Sequence, residues 1–183
     1  MKLMEIIENR RAYRSLGPAA INETMVRDLA AAASLSASCF NKQPWRFVFA
    51  FETEVLDRLK QAMNKGNEWT RAASLIVAVC SRKDLDCVVK EREYYLFDTG
   101  MATAFLILRA TEMGLIAHPI AGYDEEMAKD VLGIPVDMRL ITLIHVGKHL
   151  LPPNALLNEQ QAEIEKTRPE RLPLTEIMRL NKF

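Results

Sequence analysis

Ser74-Leu75-Ile76-Val77-Ala78-Val79-Cys80 reads as one short, nearly unbroken apolar run dominated by β-branched and small residues. A strand with one wet face alternates polar and apolar positions, so a run without alternation suits a strand buried on both faces. Such a strand needs a layer of structure on each side. Upstream, Trp45, Phe47, Phe49 and Phe51 alternate with Arg46, Val48 and Ala50, the period of two that marks a second strand. Residues 115–121 and 139–146 read as two further short strands, the last one stopped by Gly147.

Helical patterns fill the intervals. Residues 2–14 predict a short helix stopped by Gly17-Pro18. Another follows the N-cap Asn22 to about Ala33, with Ile21 and Val26 at the two positions of a hydrophobic staple. Thr53 caps a helix running to about Asn64, with Gly66 as its stop. Residues 91–113 are helical and apolar nearly all round, with Gly114 as C-cap, so this helix must be enclosed by the fold or by a partner. Asp124 caps a helix ending at Gly133-Ile134-Pro135. Strands alternating with helices predict a layered, mixed α/β sheet.

The chain of 183 residues fits one domain spanning 1–183, and 49% apolar residues supply a core. Lys plus Arg and Asp plus Glu both number 24, so the formal net charge is zero. That balance argues against nucleic acid as a partner, which needs a basic face, and against a polybasic membrane contact. With only 7 Gly and 8 Pro, disorder is excluded as well. Cys39, Cys80 and Cys87 are odd in number and show no metal-ligand spacing, which fits reduced thiols. The first residues show no signal-peptide core, and no apolar stretch approaches the roughly 20 residues of a membrane span. A cytoplasmic protein is expected.

After His149 the character changes. Pro152-Pro153, a polar stretch to Pro169 and a short helix near residues 175–180 read as an extended C-terminal tail. Its Leu172, Leu174, Ile177 and Met178 need a surface, and a second subunit is the expected one.

Few local features carry chemistry by themselves. Arg10, Arg11 and Arg14 cluster at the end of the first helix, and the four-residue spacing of Arg10 and Arg14 would let both address one anion. A solvated helix end paired with Glu5 and Glu8 is the plainer alternative. The loop Ser36-Ala37-Ser38-Cys39-Phe40-Asn41-Lys42-Gln43-Pro44-Trp45 offers small polar groups, and Pro44 predicts an extended Gln43. Asp98 and Gly100 interrupt the apolar helix, which calls for a buried partner for Asp98 and a close approach at Gly100. His145 and His149 are four apart, yet the strand pattern argues against a metal pair. No nucleophile elbow, Walker loop or Gly-x-Gly-x-x-Gly occurs. These residues point to a small anionic ligand and name no reaction.

In order, the pieces resemble the FMN-dependent nitroreductase family over most of the chain. Arg10-Arg11-Ala12-Tyr13-Arg14 is similar to that family's Arg-Arg-Ser-x-Arg, and the loop ending in Asn41-Lys42-Gln43-Pro44-Trp45 to its Asn-x-Gln-Pro-Trp. Asp98-Thr99-Gly100, Pro119-Ile120-Ala121-Gly122-Tyr123 and Arg171-Leu172-Pro173-Leu174 complete the series. The resemblance implies a three-layer α+β fold with a mixed, mainly antiparallel sheet flanked by helices, and a tail extending over the partner subunit. It further implies a homodimer with FMN at the interface, NAD(P)H as electron donor, and a small electron-poor acceptor such as a nitroaromatic or quinone.

On that resemblance, Arg10 and Arg171 hold the FMN phosphate, with Arg11 and Ala12 beside them. Arg14 lies by the pyrimidine edge, where a positive charge favours the reduced ring. Ser38, Cys39, Phe40 and Asn41 reach the cofactor from the partner chain, Asn67 contacts the flavin by its amide, and Pro119, Ala121 and Gly122 present backbone to the ring. No residue is expected to act as a catalytic acid, base or nucleophile, and no metal is expected. Ala12 stands for a usual serine, Ala37 for a proline and Pro169 for a frequent lysine, and the lost hydroxyl and cation predict weaker FMN retention. The alternatives are a flavin-binding dimer without turnover and a flavin-cleaving or dehalogenating enzyme of the same fold.

Overall fold

The computed structural model describes residues 2–183. Its centre is strand β3 (Leu75–Ser81), buried at every position. Ile76, Ala78 and Cys80 project into one apolar cluster, and Leu75, Val77 and Val79 into another. The uniform burial therefore still obeys a period of two, with both faces dry. β3 pairs antiparallel with β2 (Arg46–Ala50) and with the long β7 (Arg139–His149). β7 in turn pairs antiparallel with β6 (Ile116–Ile120) and with the short β1 (Leu16–Gly17). Among the described residues every strand pair is antiparallel, and helices cover both faces of the sheet.

One face carries α3 (Thr53–Leu59) and α5 (Glu125–Leu132), which contribute Leu56, Leu59 and Ala128. The other carries α2 (Glu23–Ser34) and α4 (Tyr95–Glu112), which contribute Leu29, Ala33, Ala102, Leu106 and Ala110. The small alanines let α4 lie close to the sheet. Local signals fix the helix ends as expected at several places. Asn22 accepts from the Met25 amide, Asp124 from the Met127 amide, and Gly133 adopts the left-handed C-cap conformation. Among the described residues, no helix is long and apolar enough to cross a membrane.

Five expectations are corrected. Helix α1 (Leu3–Asn9) stops well short of residue 14, and Arg10 is already extended at φ −60°, ψ 117°. Arg10 and Arg14 are therefore not neighbours on a helix face. Tertiary contacts override propensity here, because β1 must reach β7 and the Arg14 and Ser15 amides donate to Glu165. Helix α4 begins at Tyr95 rather than 91, since β4 (Val88–Val89) and β5 (Arg92–Glu93) form a hairpin turned by Lys90 and Glu91, both at positive φ. That is the geometry of a primed two-residue turn without its usual Asn or Gly, so no turn signal announced it.

Glu52, not Thr53, is the N-cap of α3, whose end tightens into a 3₁₀ turn at Lys60–Ala62. Gly147 does not stop β7 but lets another strand pass: a Cβ there would stand 2.8 Å from the Gly17 carbonyl oxygen. The tail is not extended throughout, for α6 (Glu159–Lys166) opens on a reciprocal capping box between Asn158 and Gln161. A last turn, α7 (Leu174–Ile177), follows. Leu172, Leu174, Ile177 and Met178 are at least half exposed in the single chain.

Candidate functional site

The segment between α1 and β1 and the segment after α6 meet across a cavity of about 490 Å³. Arg10, Arg11, Ala12, Arg14 and Arg171, all singled out in the sequence, line it together with Arg168, His118 and Glu165. Five guanidiniums thus converge from opposite ends of the chain. Among the described residues none of them forms an ion pair with a carboxylate. Burial, then Arg168 and Arg171, push the Arg10 guanidinium below its ordinary value. Like charges are packed here, and the one carboxylate of the wall, Glu165, accepts from backbone amides instead of pairing with them.

Three contacts hold this arrangement. The Arg11 guanidinium donates to the carbonyls of Ile164 and Thr167 and lies 4.4 Å over the Tyr13 ring. In the opposite direction, Arg168 donates to the carbonyls of Glu8 and Arg10. Glu165, 8% exposed, accepts from the Arg14 amide at 2.9 Å and the Ser15 amide at 3.3 Å. Arg11 is therefore a latch between segments more than a free anion ligand. Arg168 places a cation in the cavity wall one position before Pro169.

His118 forms part of the wall, its Nδ1 3.0 Å from the Tyr13 carbonyl. Burial pushes it below the usual histidine range, so it is a neutral Nδ1–H donor there. Behind it Trp69 packs against both His118 and His145, and His149 stacks on Tyr13 at 3.8 Å. His118 immediately precedes Pro119 of the recognised motif, which was the available signal for it. Nothing local announced Glu165 or Arg168, whose roles exist only once the tail has folded back.

Pro119 lines a second cavity of about 460 Å³, mostly apolar, with Ile7, Ala104, Ile107, Leu108 and Ala117. This space shares Arg10 and Ala12 with the cationic one. Asn67 donates its side-chain amide to the Gly122 carbonyl at 2.8 Å. A Cβ at Gly122 would stand 2.6 Å from Asn67 Nδ2, so the pair depends on that glycine. Ala121 sits in the same turn.

Ser38, Cys39, Phe40 and Asn41 do not line the cationic cavity. Their loop rests on the start of α4, where Asp98, 2% exposed, accepts from the Cys39 amide at 2.6 Å. This is the buried partner expected for Asp98. Ser38 Oγ accepts from the Gln43 amide at 3.0 Å. Phe40, Asn41 and Gln43 all take positive φ, so Gln43 is not extended as Pro44 predicted. Such backbone conformations persist only where surrounding contacts impose them. Phe40 is 88% exposed in the single chain. Gly100 meets no close approach either, for a Cβ there would touch nothing within 4 Å.

Comparison with known proteins accounts for the fold. A Mycolicibacterium smegmatis protein described as an uncharacterized 15.4 kDa protein is 32% identical over 127 residues, covering 68% of this chain and 81% of that protein. An Archaeoglobus fulgidus protein described as a candidate NADH dehydrogenase/NAD(P)H nitroreductase is 25% identical over 148 residues, covering 79% of this chain and 83% of its own. A crystal structure described as an oxidoreductase containing FMN superposes with a TM-score of 0.84 at 25% identity, over 97% of this chain and 91% of the other. The profile of the nitroreductase family matches residues 7–69 and 63–148, most of the chain, and the protein belongs to that family.

Proposed function

We propose that this protein is an FMN-dependent oxidoreductase of the cytoplasm, one domain over residues 1–183, working as a homodimer. The observation that carries the reading is the set of five arginines without a carboxylate counter-ion, joined to an apolar cavity through Arg10 and Ala12. A ligand suited to both is anionic at one end and flat and apolar at the other, which is the chemistry of FMN. Bound FMN supplies two-electron transfer, taking electrons from NAD(P)H and passing them to an electron-poor acceptor such as a nitroaromatic or quinone in a ping-pong cycle.

Each residue's part follows from its chemistry. Arg10 and Arg171, with Arg168, offer fork-shaped donors to a phosphate. Arg14 would contribute a fixed positive charge favouring the reduced ring. Asn67 and Gly122 fix one another, and the segment of Pro119, Ala121 and Gly122 would present backbone to the ring. The neutral His118 keeps the Tyr13 carbonyl, and with it the backbone ahead of Arg14, in place.

The dimer is supported by apolar surface that the single chain leaves open. Leu3, Ile6, Ile7, Leu35, Phe105 and Leu108 line an apolar groove of about 470 Å³ between α1, α2 and α4. Phe97 on α4 and most apolar residues of the tail are exposed as well. A second copy would cover these faces and bring the exposed Phe40 loop to the cofactor.

The test is direct. The purified protein should be yellow, or become so with added FMN, and NADH or NADPH should bleach the flavin band without oxygen. A colourless protein that cannot be reconstituted refutes the cofactor. A yellow protein that neither nucleotide bleaches refutes the reductase.

A further inference from the structure

Outside the arginine cavity, the most concentrated set of ligating atoms lies beneath the loop of residues 38–41. Cys39, Asp86 and Cys87 each offer one ligand atom, all within 4.8 Å of one another and all half-buried. Two thiols and a carboxylate are brought together from segments far apart in sequence, which is why spacing alone did not reveal them.

The carboxylate is incompletely satisfied. Asp86 Oδ1 accepts from the Cys87 amide at 2.8 Å, while Oδ2 is buried without a hydrogen-bond partner among the described residues. The neighbouring Asp98 carboxylate adds like charge, and the Cys87 thiol is the nearby side chain that can donate. A buried carboxylate oxygen without a partner is offset by a proton or a cation. Asp98 in turn holds the Cys39 amide, so it orients one of the two sulfur-bearing residues from behind.

We infer that Cys39, Cys87 and Asp86 form a binding site for a thiophilic divalent cation, zinc above all. Thiolate and carboxylate ligands suit zinc, and three protein ligands leave the fourth tetrahedral position to water or to Asp98. Zinc–sulfur bonds of about 2.3 Å place tetrahedral sulfurs about 3.8 Å apart. The three ligand atoms lie within 4.8 Å of one another, so coordination requires a small inward movement of the side chains. Binding releases both thiol protons, and the cation offsets the repulsion that two thiolates and Asp86 would otherwise feel.

A redox-active dithiol fits less well. The Cys87 thiol donates to the Cys39 carbonyl at 3.5 Å, and the Asp86 carboxylate beside the two sulfurs is a ligand that a cation uses and a disulfide does not. The site also sits at the base of the loop whose Phe40, Asn41 and Gln43 hold positive φ. A bound cation would tie that loop to the hairpin segment bearing Cys87, stiffening it.

The experiment is a titration of the full-length, freshly reduced protein with Co²⁺ alone, followed by displacement with Zn²⁺. The expected result is one Co²⁺ per chain with a thiolate-to-cobalt charge-transfer band, which Zn²⁺ abolishes. Cys87→Ser should remove the band, and Asp86→Asn should weaken binding about 10-fold or more. Cys80→Ala, in the opposite core, should leave the band unchanged. Absence of a thiolate band in the reduced wild-type protein overturns the assignment. So does a band retained in Cys87→Ser, or a Cys39–Cys87 disulfide formed in air by a protein that, when reduced, takes up no Co²⁺.

Discussion

Glu165→Gln is the sharpest perturbation of the candidate site, because the tail meets the 10–15 segment through that carboxylate. The side chain is 8% exposed and accepts two backbone N–H groups, at 2.9 Å from Arg14 and 3.3 Å from Ser15. Hydrogen bonds to a charged acceptor contribute about 1.5–3 kcal/mol each, and the longer one belongs at the low end. Glutamine keeps one acceptor and turns a donor towards the other N–H, so one bond is lost and a donor faces a donor. Relief from burying a charge offsets part of that. The net cost is about 2 kcal/mol, which makes opening of the latch about 30-fold more frequent. Amide hydrogen exchange at Ser15, a buried residue, should therefore accelerate by about that factor relative to β3 amides. FMN affinity is the wrong readout, because the variant also removes the one carboxylate lining the cavity and the two effects oppose each other. Exchange at Ser15 within threefold of wild type would refute the latch.

Three other outcomes are expected. Arg10→Ala should weaken FMN binding about 10- to 100-fold, as loss of a charge-assisted phosphate contact, while Arg14→Ala should slow flavin reduction more than it weakens binding; equal effects on both quantities contradict the separate roles. Burial first, and His118 second, push His145 down to about 3. The unfolded chain then takes up a proton below about pH 6.5 that the fold refuses, so stability is full above 6.5 and falls as pH drops towards 3, by about 2 kcal/mol between pH 7 and 5; urea midpoints for His145→Phe should show a flatter slope in that window, and parallel slopes would count against it. Gly147→Ala puts a Cβ 2.8 Å from the Gly17 carbonyl, which backbone cannot readily evade, so it should cost about 2 kcal/mol or more in denaturant unfolding, and a neutral result would refute the close approach.

What could be read in the sequence was whatever short-range physics decides. The run ending at Cys80 needed both faces dry, and the fold supplies both. Asn22, Asp124 and Gly133 cap the helices their chemistry suits. The failures share a cause as well. α1 ends early because residues 10–15 are claimed by β7 and Glu165, and the 88–93 hairpin turns on Lys90 and Glu91, which no turn rule favours. At the candidate site, Arg10, Arg14 and Arg171 could be picked out because each lies in a recognisable string. His118 carried only the faint signal of its neighbour Pro119, and Glu165 and Arg168 carried none. Their function is created by a return of the chain across more than 150 positions.

That return explains why a chain of zero net charge can hold so uneven a site. Docking the tail brings Arg168 and Arg171 towards Arg10 and disfavours Arg10's charge, a cost that grows as the cavity dries. The offsets are local: Arg11 on two tail carbonyls, Arg168 on two carbonyls near the end of α1, and Glu165 on two amides. All three use backbone groups as partners. No carboxylate is spent neutralising the guanidiniums, so their field stays directed into the cavity. An acidic partner for each arginine would relieve that repulsion and cancel the field an anion would meet. If the proposed cofactor binds here, its phosphate would relieve the crowding of like charge that disfavours Arg10's charge, so tail docking and anion binding would favour one another.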